Sequence, residues 1–201
     1  PDVNNAIQEQ GKKDGLRVGI TYGIDRLEKG DVYIANVSEG IEDASHVGDN
    51  LGNAIWAQSG NGAIIRGTVR DLEGNMQMKG FNLFVRDFRP ESAGAGFGSM
   101  VIGVNLPIQI GYVTVMPGDI VLGKRDGVIF IPPHLAQKVV ENSERTRLRD
   151  TFGHLGVQQG RYTAAQADGI FTDEMNEEFN QWALDNADTM GKFFSDPNAA
   201  P

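Results

Sequence analysis

Residues 48–71 read GDNLGNAIWAQSGNGAIIRGTVRD, and this stretch decides the fold. Gly48-Asp49-Asn50 precedes a helical pattern, Leu51, Ala54, Ile55 and Ala57, with Asp49 or Asn50 suited to the N-cap. Gly60-Asn61-Gly62 stops that helix, because glycine accepts the left-handed backbone of a C-terminal cap. Ala63-Ile64-Ile65 is then an apolar run suited to a buried strand. Upstream, the turn Lys29-Gly30-Asp31 leads into a similar run, Val32-Tyr33-Ile34-Ala35. Strand, helix and strand in that order predict a parallel crossover unit.

Outward from this unit the pattern is mixed. Val3 to Lys13 predicts a short surface helix, Leu16 to Gly23 a weak strand, and Val37 to Val47 a loop. After Asp71, apolar runs at Phe81–Val85, Met100–Val104 and Ile108–Val115 predict three strands. Ile120-Val121-Leu122 and Val128–Ile131 pair as a hairpin around Lys124-Arg125-Asp126-Gly127. Pro132-Pro133 ends the sheet and starts a helix through about Arg149, with Leu135, Val139 and Val140 as its apolar face. Phe152 to Ala167 reads as loop-rich. Thr172 to Met190 reads as an acidic helix capped by Thr172 or Asp173, with Met175, Phe179 and Trp182 in one stripe. Asp196 to Pro201 reads as a tail. The expected organisation is a β-rich core with flanking helices over residues 1–150 and a C-terminal helical arm over 151–201.

Composition narrows the chemistry. Among 201 residues there is no cysteine, which removes disulfides and thiolate metal sites and leaves carboxylates and three histidines as ligands. This is compatible with the cytoplasm, the expected location. A net charge of −9 argues against binding a nucleic-acid backbone, which needs a basic stripe. No apolar run approaches the roughly 18 residues of a membrane span, so no membrane partner is expected. An acidic protein that handles an anionic substrate must concentrate positive charge locally, through arginine, a metal or a helix N-terminus.

The densest polar cluster is Arg66-Gly67-Thr68-Val69-Arg70-Asp71, directly after the strand at Ala63–Ile65. Side chains at the C-terminal ends of parallel strands line the usual binding crevice of such sheets. An adjacent arginine and aspartate can set a carboxylate on a cation and a guanidinium on a substrate carboxylate. Locally the plainer readings are a surface ion pair for Arg70-Asp71 and an N-cap for Asp49. His46, His134 and His154 lie on separate segments without metal-ligand spacing.

Taken together, Gly48-Asp49 followed after 20 intervening residues by Arg70-Asp71 resembles the signature of the RraA-like family. That family includes 4-hydroxy-4-methyl-2-oxoglutarate/4-carboxy-4-hydroxy-2-oxoadipate aldolase and the regulator of ribonuclease E activity. Lys29-Gly30-Asp31-Val32, Gly67-Thr68-Val69-Arg70-Asp71, Arg86 and Pro90, Pro117-Gly118-Asp119-Ile120-Val121 and Asp126–Pro132 agree with it in order and spacing. The resemblance covers roughly residues 29–145. It implies an α/β fold, a three-layer β/β/α swivelling-domain-like core related to phosphohistidine domains, assembled as a homotrimer or hexamer with sites between subunits.

For the site, the resemblance implies that Asp71 holds Mg²⁺ or Mn²⁺ largely through waters, which Asp49 orients. Arg70 would bind the substrate's carboxylate or enolate oxygen, and the Asn50 and Leu51 amides after Gly48 would receive a pyruvoyl carboxylate. The implied activity is retro-aldol cleavage or decarboxylation of a small 2-oxo (di)carboxylic acid through a pyruvate enolate. The alternative is a non-catalytic protein-binding regulator. Arg66 stands where the family usually has Asp, and Lys124 where an acidic residue is common. An acidic residue from a neighbouring subunit is expected to support the site, with Glu141 or Glu144 as candidates. The family carries further sequence ahead of the equivalent of Lys29. With Pro1-Asp2-Val3 opening this chain, the expectation is that an N-terminal portion of the native protein is missing, the alternative being a shortened family member with a reduced sheet.

Overall fold

A computed structural model of the chain describes residues 6, 9, 10, 12, 13, 19–37, 45–92 and 101–187. It divides into two compact units, Pro1–Pro133 and His134–Pro201. The division lies ahead of residue 150 because Asp150 sits inside an unbroken helix, Ala136–Gln158. The fold is mixed α/β.

In the first unit the strand-helix-strand expectation holds. The elements are α1 (Ile20–Ile24), β1 (Tyr33–Asn36), β2 (Ser45–Val47), α2 (Asp49–Ser59), β3 (Ala63–Val69), α3 (Leu72–Gln77) and β4 (Leu83–Phe88). β3 is the hub of a parallel sheet. It pairs with β1 from Tyr33↔Ala63, with β2 at Ser45↔Thr68 and with β4 from Ala63↔Leu83. Its first three residues are all buried, as the apolar run requires. Ile24, Val47, Ile55, Ala63, Ile65, Val69 and Phe81 form the core beneath α2.

One glycine is required by close backbone approach and another by a left-handed turn. A Cβ at Gly62 would sit 2.9 Å from the Asn82 nitrogen and 2.6 Å from its carbonyl carbon, so only glycine lets β4 lie this close. Gly60 ends α2 in the left-handed conformation at φ 74°.

Other expectations need correction. Residues 20–23, assigned to a strand, belong to helix α1, because Ile20 and Ile24 are four apart and pack on the same core. Leu16 to Val18 lie outside the described residues. The end of the supposed Val37–Val47 loop is strand β2, while residues 38–44 lie outside the described set. Residues 101–104 form no strand: Asn105 turns the chain at φ 54°, and Leu106 folds over Gly103. Ile108–Val115 is two strands, β5 (Ile108–Ile110) and β6 (Val113–Val115), split by a turn with Gly111 at φ 60°. β7 (Ile120–Lys124) and β8 (Gly127–Ile131) form the expected hairpin, paired from Ile120↔Ile131 to Lys124↔Gly127. The described residues within 3–13, namely 6, 9, 10, 12 and 13, are helical and exposed, as expected.

The second unit contains α4 (Ala136–Gln158), α5 (Ala164–Asp168) and α6 (Asp173–Asp185). α4 therefore runs on through the first part of a segment expected to be loop, from Phe152 to Gln158. Its buried positions are Phe152, Gly153 and Gly156, whereas Leu135 and Val140 are exposed. Phe152, Phe171 and Met175 form a small core, with Tyr162, Phe179 and Trp182 packed around it. The stripe Met175, Phe179, Trp182 is thus the inward face of α6. Thr172 caps α6 through the Met175 amide at 3.3 Å, and Thr163 forms a capping box with Gln166 on α5. The residues of the supposed tail lie outside the described set.

Candidate functional site

The C-terminal end of β3 delivers Arg70 and Asp71 to the N-terminus of α2. The Arg70 amide donates to Val47 O at 3.0 Å, continuing the β2–β3 ladder by one residue. Asp71 then leaves the strand at φ 58°, ψ 49°, a left-handed conformation that aspartate tolerates better than most residues. This turn starts α3 and directs the Asp71 carboxylate back across the sheet end.

Asp71 Oδ2 accepts the Asp49 amide at 3.3 Å and lies 3.2 Å from Arg70 Nε. The two side chains are 30% and 41% exposed, Arg70 and Asp71 respectively, so the pair is open to a ligand. Gly48 makes the approach possible, since a Cβ there would lie 2.9 Å from Arg70 Cζ and 3.0 Å from Nε. Gly48 is also the N-cap of α2, in extended conformation and without a side-chain cap. Asp49 is therefore the first helical residue and not the cap. Its side chain rests against Gly74 of α3, where a Cβ would meet Asp49 Oδ2 at 2.6 Å. The first intrahelical bond, Gly52 N–H to Gly48 O at 2.9 Å, leaves the Asn50 and Leu51 amides at the open end of α2.

Two residues that sequence reasoning missed support this cluster. Asn75, buried on α3, donates through Nδ2 to the carbonyls of Arg70 and Asp71 at 2.9 and 3.0 Å. Its own amide donates to Asp71 O at 3.0 Å. It pins the left-handed turn from inside, at the cost of a buried Oδ1 without a hydrogen-bond partner. Ser45, fully buried on β2, meets Arg70 Nη1 at 3.3 Å. The spacing Asp71 to Asn75 is a helical turn and was the only available hint; nothing in the sequence singles out Ser45.

The remaining candidates fall elsewhere. Arg66 Nη1 donates to Gln109 O at 3.4 Å. Lys124 borders an open cleft with Asn82, Leu83, Phe84, Gly123 and Arg125, none of which belongs to the Arg70–Asp71 cluster. Glu141 accepts from Gln137 on the exposed surface of α4, and Glu144 is exposed there too. His46 is a packing residue: its ring stacks on Tyr33 at 6.2 Å, and Nε2 lies 3.0 Å from the Tyr33 hydroxyl. Burial pushes the His46 imidazole down to about 4 and the Tyr33 phenol up to about 12.

Among the described residues, no group of three or more His, Asp or Glu forms a cage for a metal. The cluster offers hard carboxylate oxygen instead, chiefly Asp71, which meets the Asp49 amide and Arg70 through Oδ2. That donor chemistry fits Mg²⁺ or Mn²⁺, ions of a kind held through one or two carboxylates with several waters retained.

The family model described as RraA-like, Aldolase/RraA, matches residues 12–130. A putative 4-hydroxy-4-methyl-2-oxoglutarate aldolase of Halalkalibacterium halodurans is 29% identical over 90 residues, 44% of this chain and 40% of that protein. The 4-hydroxy-4-methyl-2-oxoglutarate aldolase of Thermus thermophilus is 29% identical over 86 residues, 43% of this chain and 50% of the relative. The matched stretch thus spans half or less of these relatives. An uncharacterized protein of Pseudomonas syringae superposes with a TM-score of 0.65 at 25% identity, covering 72% of this chain and 66% of its own. Streptomyces coelicolor RraAS2, described as an unusual member of the RNase ES inhibitor RraA protein family, gives a TM-score of 0.56 at 23% identity, covering 62% of each chain.

Proposed function

The chain belongs to the RraA-like family, and from that premise we propose that it is a divalent-metal-dependent carbon–carbon lyase acting on a 2-oxo acid with a second carboxylate. The observation that carries the reading is the convergence on Asp71 Oδ2 of the Arg70 guanidinium and the Asp49 amide. A carboxylate for a cation, a guanidinium for an anion and the open end of a helix meet at one sheet end. The core in this reading is the three-layer swivelling-domain arrangement, working as a homotrimer or hexamer in the cytoplasm.

Asp71 would hold Mg²⁺ or Mn²⁺, with Asp49 orienting the waters around it. When bound, the ion supplies Lewis acidity to the substrate's 2-oxo group. The Asn50 and Leu51 amides receive the carboxylate next to that oxo group, using the positive end of α2. Arg70 donates to the oxygen on which charge grows as the C–C bond breaks. The electron pair of that bond passes into a pyruvate enolate. In retro-aldol cleavage the hydroxyl passes its proton to water and becomes the second product's carbonyl; in decarboxylation the second product is CO₂. Water then returns a proton to C3, giving pyruvate.

The test is pyruvate release from oxaloacetate and from 4-hydroxy-4-methyl-2-oxoglutarate, each with Mg²⁺, with Mn²⁺ and with chelator. Turnover with either ion and none with chelator supports the lyase. A second reading, a non-catalytic protein-binding regulator, is favoured by Arg66 in a position where the family usually has an acid. No turnover of any substrate by metal-loaded protein would move the assignment to it.

A further inference from the structure

We propose that Ser45 is a positioning residue that sets the orientation of the Arg70 guanidinium for ligand binding. The proposal rests on the assignment of Arg70 as an anion-binding group.

Ser45 opens β2 and is 0% exposed. A hydroxyl in that position is costly unless both its donor and acceptor capacities are used. Oγ donates to Glu91 O at 2.5 Å, and the Ser45 amide donates to the same carbonyl at 2.8 Å. The single hydroxyl proton is thereby committed, so Oγ can only accept from Arg70 Nη1, 3.3 Å away. A relay results: Arg70 Nη1 to Ser45 Oγ to Glu91 O.

The other end of the guanidinium is fixed independently. Arg70 Nε lies 3.2 Å from Asp71 Oδ2. Two anchors on a planar group define its plane and its rotation, which one anchor does not. The contacts of the guanidinium among the described residues are on Nε and Nη1. An arginine on a flexible stem pays conformational entropy when it binds. A guanidinium already held at Nε and Nη1 has met that cost in the folded state.

Removing the Ser45 hydroxyl leaves Glu91 O with the Ser45 amide, so β2 keeps its contact. The effect should therefore travel through Arg70. The probe is oxalate, a planar dianion resembling the pyruvate enolate, titrated calorimetrically into the full chain with Mg²⁺ present. Wild type, Ser45→Ala, Arg70→Ala and the double variant are compared, with Ser45→Thr as the hydroxyl-restoring control and thermal unfolding run on each. Ser45→Ala is expected to weaken oxalate roughly tenfold, the scale of a lost hydrogen bond to a charged group. Ser45→Thr should recover most of the affinity, and Ser45→Ala should have no further effect once Arg70 is Ala. An equal loss in both backgrounds, or no loss with Arg70 present, would overturn the positioning role. Equal oxalate affinity of wild type and Arg70→Ala would overturn the ligand role of Arg70 first, and this inference with it. If Ser45→Ala fails to fold, Ser45→Cys, which keeps the volume with a poorer acceptor, carries the same comparison.

Discussion

Asp71 takes up the first amide of α2 through its side chain, accepting from Asp49 at 3.3 Å across 22 residues of sequence. The contact exists because Asp71 leaves β3 in a left-handed turn, and because Gly48, the α2 cap, carries no side chain to block it. Helix start, strand end and ion pair are therefore one local structure, and a change at any of them should register at the others.

Gly48→Ala tests that coupling. The new methyl would collide with the Arg70 and Asp71 side chains, which are partly exposed and able to swing away. Stability should change little, while turnover should fall on the order of a hundredfold, as displacements near 1 Å can cause. Thermal unfolding beside steady-state kinetics separates the two. A large loss of melting temperature would show that the position is structural.

Gly62→Ala should behave in the opposite way. Its Cβ would meet the Asn82 backbone, which cannot yield without parting β3 from β4 and breaking the Ala63 N–H to Asn82 O bond of 2.9 Å. The expected cost is about 3 kcal/mol or more. Urea denaturation measures it, and a variant within about 0.5 kcal/mol of wild type, the ordinary range of a surface change, would contradict the packing described here.

In the second unit, Phe152→Ala removes the ring that meets Tyr162, Phe171, Phe179 and Trp182 at centroid distances of 5.6–5.8 Å. The expected loss is about 3–5 kcal/mol. Denaturant unfolding followed by fluorescence should show an earlier transition. An unchanged midpoint would mean this aromatic cluster contributes little.

The Tyr33–His46 pair gives stability a pH dependence on both sides. His46 is held near 4 in the folded chain against an ordinary value near 6.5, so the unfolded chain binds a proton first and stability falls as pH drops through that window. Tyr33 is held near 12 against 10, so the unfolded chain loses its proton first and stability falls as pH rises between those values. The slope is at most about 1.4 kcal/mol per pH unit for each group. Chemical denaturation across pH should show the acid-side slope flattened in His46→Gln; an unchanged slope would remove His46 as its source.

The sequence carried the centre of this fold better than its edges. The run at Ala63–Ile65 is buried on both faces, so its hydrophobicity alone marks a central strand, and Gly60 marks a helix end by its backbone conformation. Leu16 to Gly23 reads as a weak strand, yet Ile20 packs on the core beside Ile24, and that four-residue spacing sets the two on one face of a helix. α4 ran past its expected end because aromatic packing around Phe152 outweighs the glycines at 153 and 156. At the site, Arg70, Asp71, Asp49 and Gly48 are adjacent as the spacing suggested. Asn75 and Ser45 were hidden, since a buried hydrogen bond depends on where two distant backbones meet and leaves no local pattern.

The most direct test of the central claim is pyruvate release from oxaloacetate by wild type and Asp71→Ala, with Mg²⁺ or Mn²⁺ and with chelator. Metal-dependent turnover is expected in wild type and its loss in Asp71→Ala, with the fold intact by circular dichroism. Equal metal-dependent turnover in the two proteins would contradict the placement of the metal at Asp71.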